Sequence, residues 1–183
     1  MAITRLGPNQ SVNLASNVTG TLPAANVANS TLNNVTALPA AIVTGKVLQV
    51  VNAHTGTQVT SNSATYADTT LTASITPSAT SSKILVLVQQ SFGKSGANTY
   101  GNIRVYRDST EIGGAVPARS IGYDQETGAN YIGIGLAYSY QDSPSSTSAL
   151  VYKTQFNNDQ ATGTTKVQTD SGQSYMTLME IAG

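Results

Sequence analysis

Residues 83–92 limit the possible folds of this chain more than any other segment. They are Lys-Ile-Leu-Val-Leu-Val-Gln-Gln-Ser-Phe, and every position from Ile84 through Val88 is apolar. Because successive side chains of a β-strand point to opposite faces of the sheet, such a strand has to be covered on both faces. We therefore predict a central strand with protein packed above and below it.

Shorter strand-like segments lie on either side of this one. They are separated by clusters of Gly, Ser, Asn and Asp, and none of them has a helical period. They comprise residues 47–51, 71–75, 102–107, 131–138, 149–156 and 175–181. Strands at such short intervals predict an all-β head domain, a β-sandwich or jelly roll, over residues 46–183. In 131–138 the apolar residues share one face, and Gly133 and Gly135 lie on the other, where a neighbouring backbone or subunit can approach closely.

Residues 1–45 have a different composition. Arg5 is their only charged residue, and two prolines exclude a long helix, although a short helix around 28–38 stays open. The stretch 17–27 returns, one residue shorter, as 34–43. A unit this short cannot enclose its own apolar side chains, and two copies are too few for a solenoid. We predict an extended stalk in which several chains wind together, the alternative being a weakly ordered arm. The shared seam would consist of Val18, Leu22, Val27, Val35, Leu38 and Ile42.

Charge and residue usage exclude several partners. The 9 basic and 9 acidic side chains cancel and form no basic run, so nothing attracts nucleic acid or an anionic membrane surface. No apolar stretch reaches the roughly 18 residues that a membrane-spanning helix needs. The lack of cysteine excludes disulfides and thiolate metal sites. We predict neither nucleic-acid binding nor membrane insertion.

Residues suited to catalysis or metal binding are sparse. Asp124 and Glu126 could form a carboxylate pair as in a glycosidase, but a solvated loop is the simpler interpretation. His54 is the only imidazole and could bind zinc only with carboxylates or with its own copies around a symmetry axis, so we interpret it as a turn residue. Gly133 and Gly135 lie in a strand pattern with no following helix, which excludes a phosphate loop. We predict a protein that is not an enzyme and has no metal or cofactor.

Tyrosine is concentrated between residues 100 and 152. Tyr100, Tyr123 and Tyr140 lie beside Gly, Asn, Asp or Gln in predicted loops. Aromatic rings next to amides and carboxylates suit sugar recognition, and tyrosine is favoured at binding surfaces. With Asp124 and Glu126, these three tyrosines are the candidate receptor contacts. The tyrosines of the predicted strands are assigned to the core or to a subunit interface: Tyr106, Tyr131, Tyr138 and Tyr152.

Short motifs near both ends of the chain carry a family resemblance. Residues 3–15 are Ile-Thr-Arg-Leu-Gly-Pro-Asn-Gln-Ser-Val-Asn-Leu-Ala, and Val-Thr-Gly-Thr-Leu-Pro follows at 18–23. The head contains Ser-Ser-Lys-Ile-Leu-Val at 81–86 and Thr-Leu-Met-Glu-Ile-Ala at 177–182. This combination resembles the tail-fibre-like virion proteins of marine bacteriophages, the cyanobacterial phages in particular. The head motifs are similar to β-sandwiches of the trimeric tumour-necrosis-factor or complement-C1q type.

The resemblance implies a homotrimeric appendage of the virion, assembled in the host cytoplasm. Its N-terminus would attach to other virion proteins, and its head would contact a glycan or protein of the host surface. The attachment residues would be Ile3, Arg5, Leu6 and Pro8. A short fibre, a spike on the phage head and a distal tip are all open. The alternatives are a capsid-decorating or cement protein without a receptor role, and a glycan-degrading depolymerase, for which a larger β-helical domain and paired acids would be expected.

Overall fold

The computed structural model describes residues 46–113, 131–160 and 162–183. These residues form ten strands and a short 3-10 turn, with no α-helix among them. The strands are β1 (Val47–Thr55), β2 (Val59–Ser61), β3 (Ala67–Ile75), β4 (Lys83–Ser95), β5 (Ile103–Arg107), β6 (Thr110–Ile112), β7 (Ile132–Asp142), β8 (Leu150–Phe156), β9 (Thr164–Val167) and β10 (Ser174–Ile181). The 3-10 turn, Thr169–Ser171, lies between β9 and β10.

The strands form two antiparallel sheets, here called sheet A and sheet B. In sheet A, β7 pairs along one side of the long strand β4, while β10 and β9 pair with successive parts of its other side. Outside them, β1 pairs with β10 and β2 pairs with β9. Sheet B has the order β3-β8-β5-β6. The long apolar strand is therefore central, as its sequence predicts.

The strand pairs are nested along the chain. The hairpin β5–β6 is innermost, and β4–β7, β3–β8 and β1–β10 follow outwards. These pairs belong alternately to sheet B and sheet A. The described chain is thus a long antiparallel ribbon that folds over on itself, which brings the two sheets face to face.

The inward faces of the two sheets enclose an apolar core. Its larger cluster consists of Leu71, Ala73, Ile75, Ile84, Val86, Val88, Val105, Ile112, Leu150, Tyr152, Met176 and Leu178. A smaller cluster consists of Phe92, Ile103, Phe156 and Val167. On β4, the buried Gln90 lies between the two clusters, donating to Ser174 Oγ at 2.8 Å and accepting from Thr154 Oγ1 at 2.9 Å. These bonds satisfy a polar side chain that would otherwise be costly to bury.

The prediction of an all-β domain is confirmed for the described residues. All seven predicted segments form strands. Three strands were not predicted, β2, β6 and β9, because each has only three or four residues and too few apolar positions to show a period. The interpretation of His54 as a turn residue is wrong, since His54 lies within β1, which continues beyond the apolar run to Thr55.

Over residues 84–88 the described part of the chain covers only one face of β4. Ile84 and Val86 point inward and are fully buried. Leu85 and Leu87 point to the other side of sheet A and are only half-buried. The predicted cover on the second face is therefore not supplied by the described part of the chain.

A buried carboxylate ties the β3–β4 connection to the last strand. Glu180 of β10 is 1% exposed and accepts hydrogen bonds from the backbone N–H of Ser78 at 2.7 Å and from Ser82 Oγ at 2.7 Å. Gln49 of β1 donates to the same carboxylate. Burial by itself raises the pKa of Glu180, but the hydrogen bonds from Ser78, Gln49 and Ser82 outweigh it and lower the pKa to about 2.

We expect Glu180→Gln to reduce the acid sensitivity of the domain. A carboxyl whose pKa is lower in the folded state binds its proton more tightly in the unfolded state, so the stability it contributes is present above its ordinary pKa of 4.5 and is lost as the pH falls towards 2. Urea unfolding between pH 6 and pH 2.5 measures the effect. The variant should be less stable at neutral pH and should lose less stability on acidification than the wild type. Parallel curves for the two proteins would contradict the assignment.

Candidate functional site

The outer face of sheet A carries several large apolar side chains among uncharged polar ones. The register of β1, β10, β4 and β7 aligns its outward side chains in three rows, which together we call the outer A face. The rows are Val50, Met179, Leu85, Gln141; Asn52, Thr177, Leu87, Ser139; and His54, Tyr175, Gln89, Ala137. Val50 is 49% exposed and Tyr175 is 48% exposed, which is unusual for large apolar side chains in neighbouring strands. An apolar surface of this kind marks an interaction site more often than a solvated one.

The outer A face carries no formal charge. These three rows contain no Asp, Glu, Lys or Arg, and the nearest charge on this side of β4 is Lys83, one row further, where it pairs with Ile181. Thr177 Oγ1 donates to Asn52 Oδ1 at 2.8 Å, and the rings of His54 and Tyr175 stack with centroids 6.2 Å apart. Side chains that lie close to a rotation axis face their own copies, so a surface without charges avoids repulsion between identical groups there. The composition of this face thus suits contact with further copies of the chain.

A groove of about 340 Å³ runs across one end of the outer A face. Leu87 of β4 and Tyr175 of β10 are among the residues that line it. On the other side of β4, strand β7 contributes only small side chains, Ala137 and Ser139, and a Cβ placed on the next outward residue, Gly135, would meet no atom within 4 Å. The small residues of β7 therefore leave open space at this end of the face, whereas a Cβ on Gly133 would lie 3.2 Å from the hydroxyl of Tyr131.

The structure describes two of the five predicted receptor contacts. Tyr140 lies on β7 and is 36% exposed. Tyr100 is only 6% exposed, so its ring offers little surface to a receptor. Its hydroxyl bonds to Gln160, which explains why a tyrosine in a polar loop sequence is nevertheless buried.

The other predicted site residues lie outside the described part of the chain. They are the receptor contacts Tyr123, Asp124 and Glu126; the attachment residues Ile3, Arg5, Leu6 and Pro8; and the seam residues Val18, Leu22, Val27, Val35, Leu38 and Ile42. These assignments stay predictions.

Two carboxylates are buried among the described residues, and both have structural partners. Glu180 is held by serine and glutamine donors, as described above. Asp142, at the end of β7, accepts two bonds from Arg107 Nη1, at 2.7 and 2.6 Å, and one from the hydroxyl of Tyr152 at 2.7 Å. Arg107 and Tyr152 belong to sheet B, so Asp142 links the two sheets. In the described ranges no three His, Cys, Asp or Glu side chains are grouped as metal ligands.

Neither protein-family models nor curated protein sequences match this chain. Among residues 46–113, 131–160 and 162–183, no helix has the length and hydropathy that crossing a membrane requires. The strongest functional feature of these residues is the uncharged outer A face with its exposed Val50 and Tyr175.

Proposed function

We propose that this chain is a structural protein of a bacteriophage virion, a homotrimeric fibre or spike whose N-terminal segment attaches to the particle and whose β head contacts the host surface. It is not an enzyme in this proposal. The observation that carries the proposal is the outer A face, because exposed and half-buried apolar side chains without charge are expected where copies of one chain meet. The resemblance of residues 3–15 and 18–23 to phage tail-fibre-like proteins supports the location on a virion.

We further propose that the head is a jelly roll of the tumour-necrosis-factor or complement-C1q type. The nested pairing of β5–β6, β4–β7, β3–β8 and β1–β10 supports this assignment, because a jelly roll is an antiparallel ribbon rolled so that successive pairs alternate between two sheets. The trimer would bury the outer A face and would supply the missing cover over Leu85 and Leu87.

The stalk and the head then perform complementary tasks. In this proposal the predicted seam within residues 1–45 and the outer A face each bring copies of the chain together. Such an assembly gives a cysteine-free protein stability outside the cell without disulfides, because association stabilises the folded state.

The mass of the native assembly tests the proposal. Light scattering of the full chain should give three times the 18.9 kDa of one chain. Leu87→Asp should raise the dissociation constant of the trimer by about a hundredfold or more, because each interface would then bury an unpaired carboxylate. The β domain of the variant should still fold, since Leu87 points away from the core, and its melting temperature should fall only by the stability that association supplied.

The matched control is Ser74→Asp, which adds the same charge to an exposed position on sheet B. It should assemble like the wild type. A monomeric wild type, or equal assembly of the two Asp variants, would refute association through the outer A face. Gold-labelled particles then locate the protein: label confined to the tail or to spikes supports an appendage, and even label over the shell supports a capsid-decorating protein.

A further inference from the structure

The outer face of sheet B carries charged side chains, whereas the three rows of the outer A face carry none. In its register Asp68 and Arg104 flank Gln155, and Lys153 and Glu111 flank Tyr106. Tyr66 immediately precedes β3 and joins the same group through Arg104. We call these seven residues the polar B patch: Tyr66, Asp68, Arg104, Tyr106, Glu111, Lys153 and Gln155.

Arg104 is the centre of one half of the patch. Its guanidinium lies over the ring of Tyr66, 3.6 Å from the ring centroid. Its Nη1 is 3.2 Å from Glu111 Oε2 and donates to the hydroxyl of Tyr106 at 3.5 Å. The two tyrosines and the guanidinium are therefore held in a fixed arrangement on the surface.

Asp68 is the centre of the other half. Gln155 Nε2 donates to Asp68 Oδ1 at 2.7 Å, and Lys153 Nζ lies 3.0 Å from the same oxygen. The side chain of Asp68 is 56% exposed, so it remains open to solvent. Side chains that are already fixed by one another lose less conformational entropy when a ligand binds, which favours binding.

The composition of the patch identifies the class of ligand. Only 10% of the residues in this chain are charged, yet two acids and two bases lie together here with two tyrosines. Their charges cancel, which argues against a nucleic acid or another polyanion. The patch lacks the apolar centre of a protein–protein interface. Carboxylates, an amide, a guanidinium and tyrosine rings offer donors, acceptors and flat apolar faces side by side, and a sugar ring needs all three.

We propose that the polar B patch binds a neutral oligosaccharide. Carboxylate and amide oxygens would accept from sugar hydroxyls, the cationic groups would donate to them, and the ring of Tyr106 would contact the C–H face of a sugar. The role of this site as the receptor contact rests on the proposed function. The site lies on sheet B, opposite the outer A face, so association through sheet A would leave it accessible.

Binding of the full chain to an array of neutral and anionic bacterial polysaccharides tests the site. We expect retention by at least one neutral polysaccharide, and little change in this retention between 50 and 500 mM NaCl. Arg104→Ala and Tyr106→Ala should each weaken binding by about tenfold or more. The control Ser74→Ala, an exposed position on β3 beyond the patch, should bind like the wild type. Melting curves of all three variants verify that they are folded.

Retention by anionic polysaccharides alone, absence of retention, or equal binding by wild type and both patch variants would overturn the site. Light scattering of the same samples separates this result from the proposed assembly. A trimer that binds no neutral polysaccharide refutes only the sugar site. A monomer that binds one through Arg104 and Tyr106 refutes only the trimer.

Discussion

Replacing Val86 by Asp is expected to unfold the β domain. Val86 is fully buried at the centre of the core between the two sheets, on the strand that has neighbours along both sides. Val86 packs in a cluster of apolar side chains, whose carbon groups cannot compensate the charge of a carboxylate. An unpaired buried charge costs roughly 4 kcal/mol or more, whereas domains of this kind are stable by only about 5–15 kcal/mol. Circular dichroism and urea unfolding should show an unfolded or severely destabilised chain.

The neighbouring residue provides the control for Val86→Asp. Leu87→Asp introduces the same charge one position along β4, on the opposite face of sheet A, and should leave the domain folded with a loss of about 1 kcal/mol. A Val86→Asp protein that melts cooperatively near the wild-type temperature would show that this strand is not at the centre of the core.

Truncating Asp142 to Ala is expected to have the second-largest effect on stability. The side chain of Asp142 is 7% exposed and that of Arg107 is 21% exposed, and the ring of Tyr152 is fully buried. Burial, followed by the hydrogen bond to Asp142, raises the pKa of Tyr152. Without the carboxylate, a guanidinium and a hydroxyl would lose their partner at the junction of the two sheets. The loss should be about 3–5 kcal/mol in urea unfolding.

Asp68→Ala is the matched control for Asp142→Ala. Asp68 also pairs with a cation, Lys153, but its side chain is 56% exposed, and exposed ion pairs contribute about 1 kcal/mol or less. Asp142→Asn should fall between the two variants because it keeps an acceptor for Tyr152 but not the charge. Equal losses for Asp142→Ala and Asp68→Ala would mean that the link between the sheets does not depend on burial.

The apolar face that carries the proposed assembly is visible in the sequence only indirectly. The uninterrupted run of residues 84–88 predicts that both faces of β4 need cover, and Leu85 and Leu87 do lack it in the described chain. Which other residues join them could not be predicted, because the register of β1, β10 and β7 places Val50, Tyr175 and Ala137 beside β4 from distant parts of the chain.

The predicted receptor contacts are not the residues of the polar B patch. Local composition does not show which residues folding exposes or brings together. Local composition selects Tyr100 as a loop tyrosine, but its environment after folding buries it. Arg104 and Glu111 have no distinguishing sequence motif, and Tyr66 is separated from Arg104 by 37 residues. Their ion pair and ring contact exist only because β5 pairs with β6 and β8 pairs with β3.

The sequence by itself determined the fold class, the central position of residues 83–92 and the strand faces around Gly133 and Gly135. These properties follow from the alternation of side chains along a strand and from composition, both of which are local or additive. Only the tertiary structure decided the partners of each strand, the buried links through Glu180 and Asp142, and the division between an apolar and a polar outer face. Those features depend on which distant segments pair, and on their register, and a shift of one residue would exchange the inward and outward side chains of a strand.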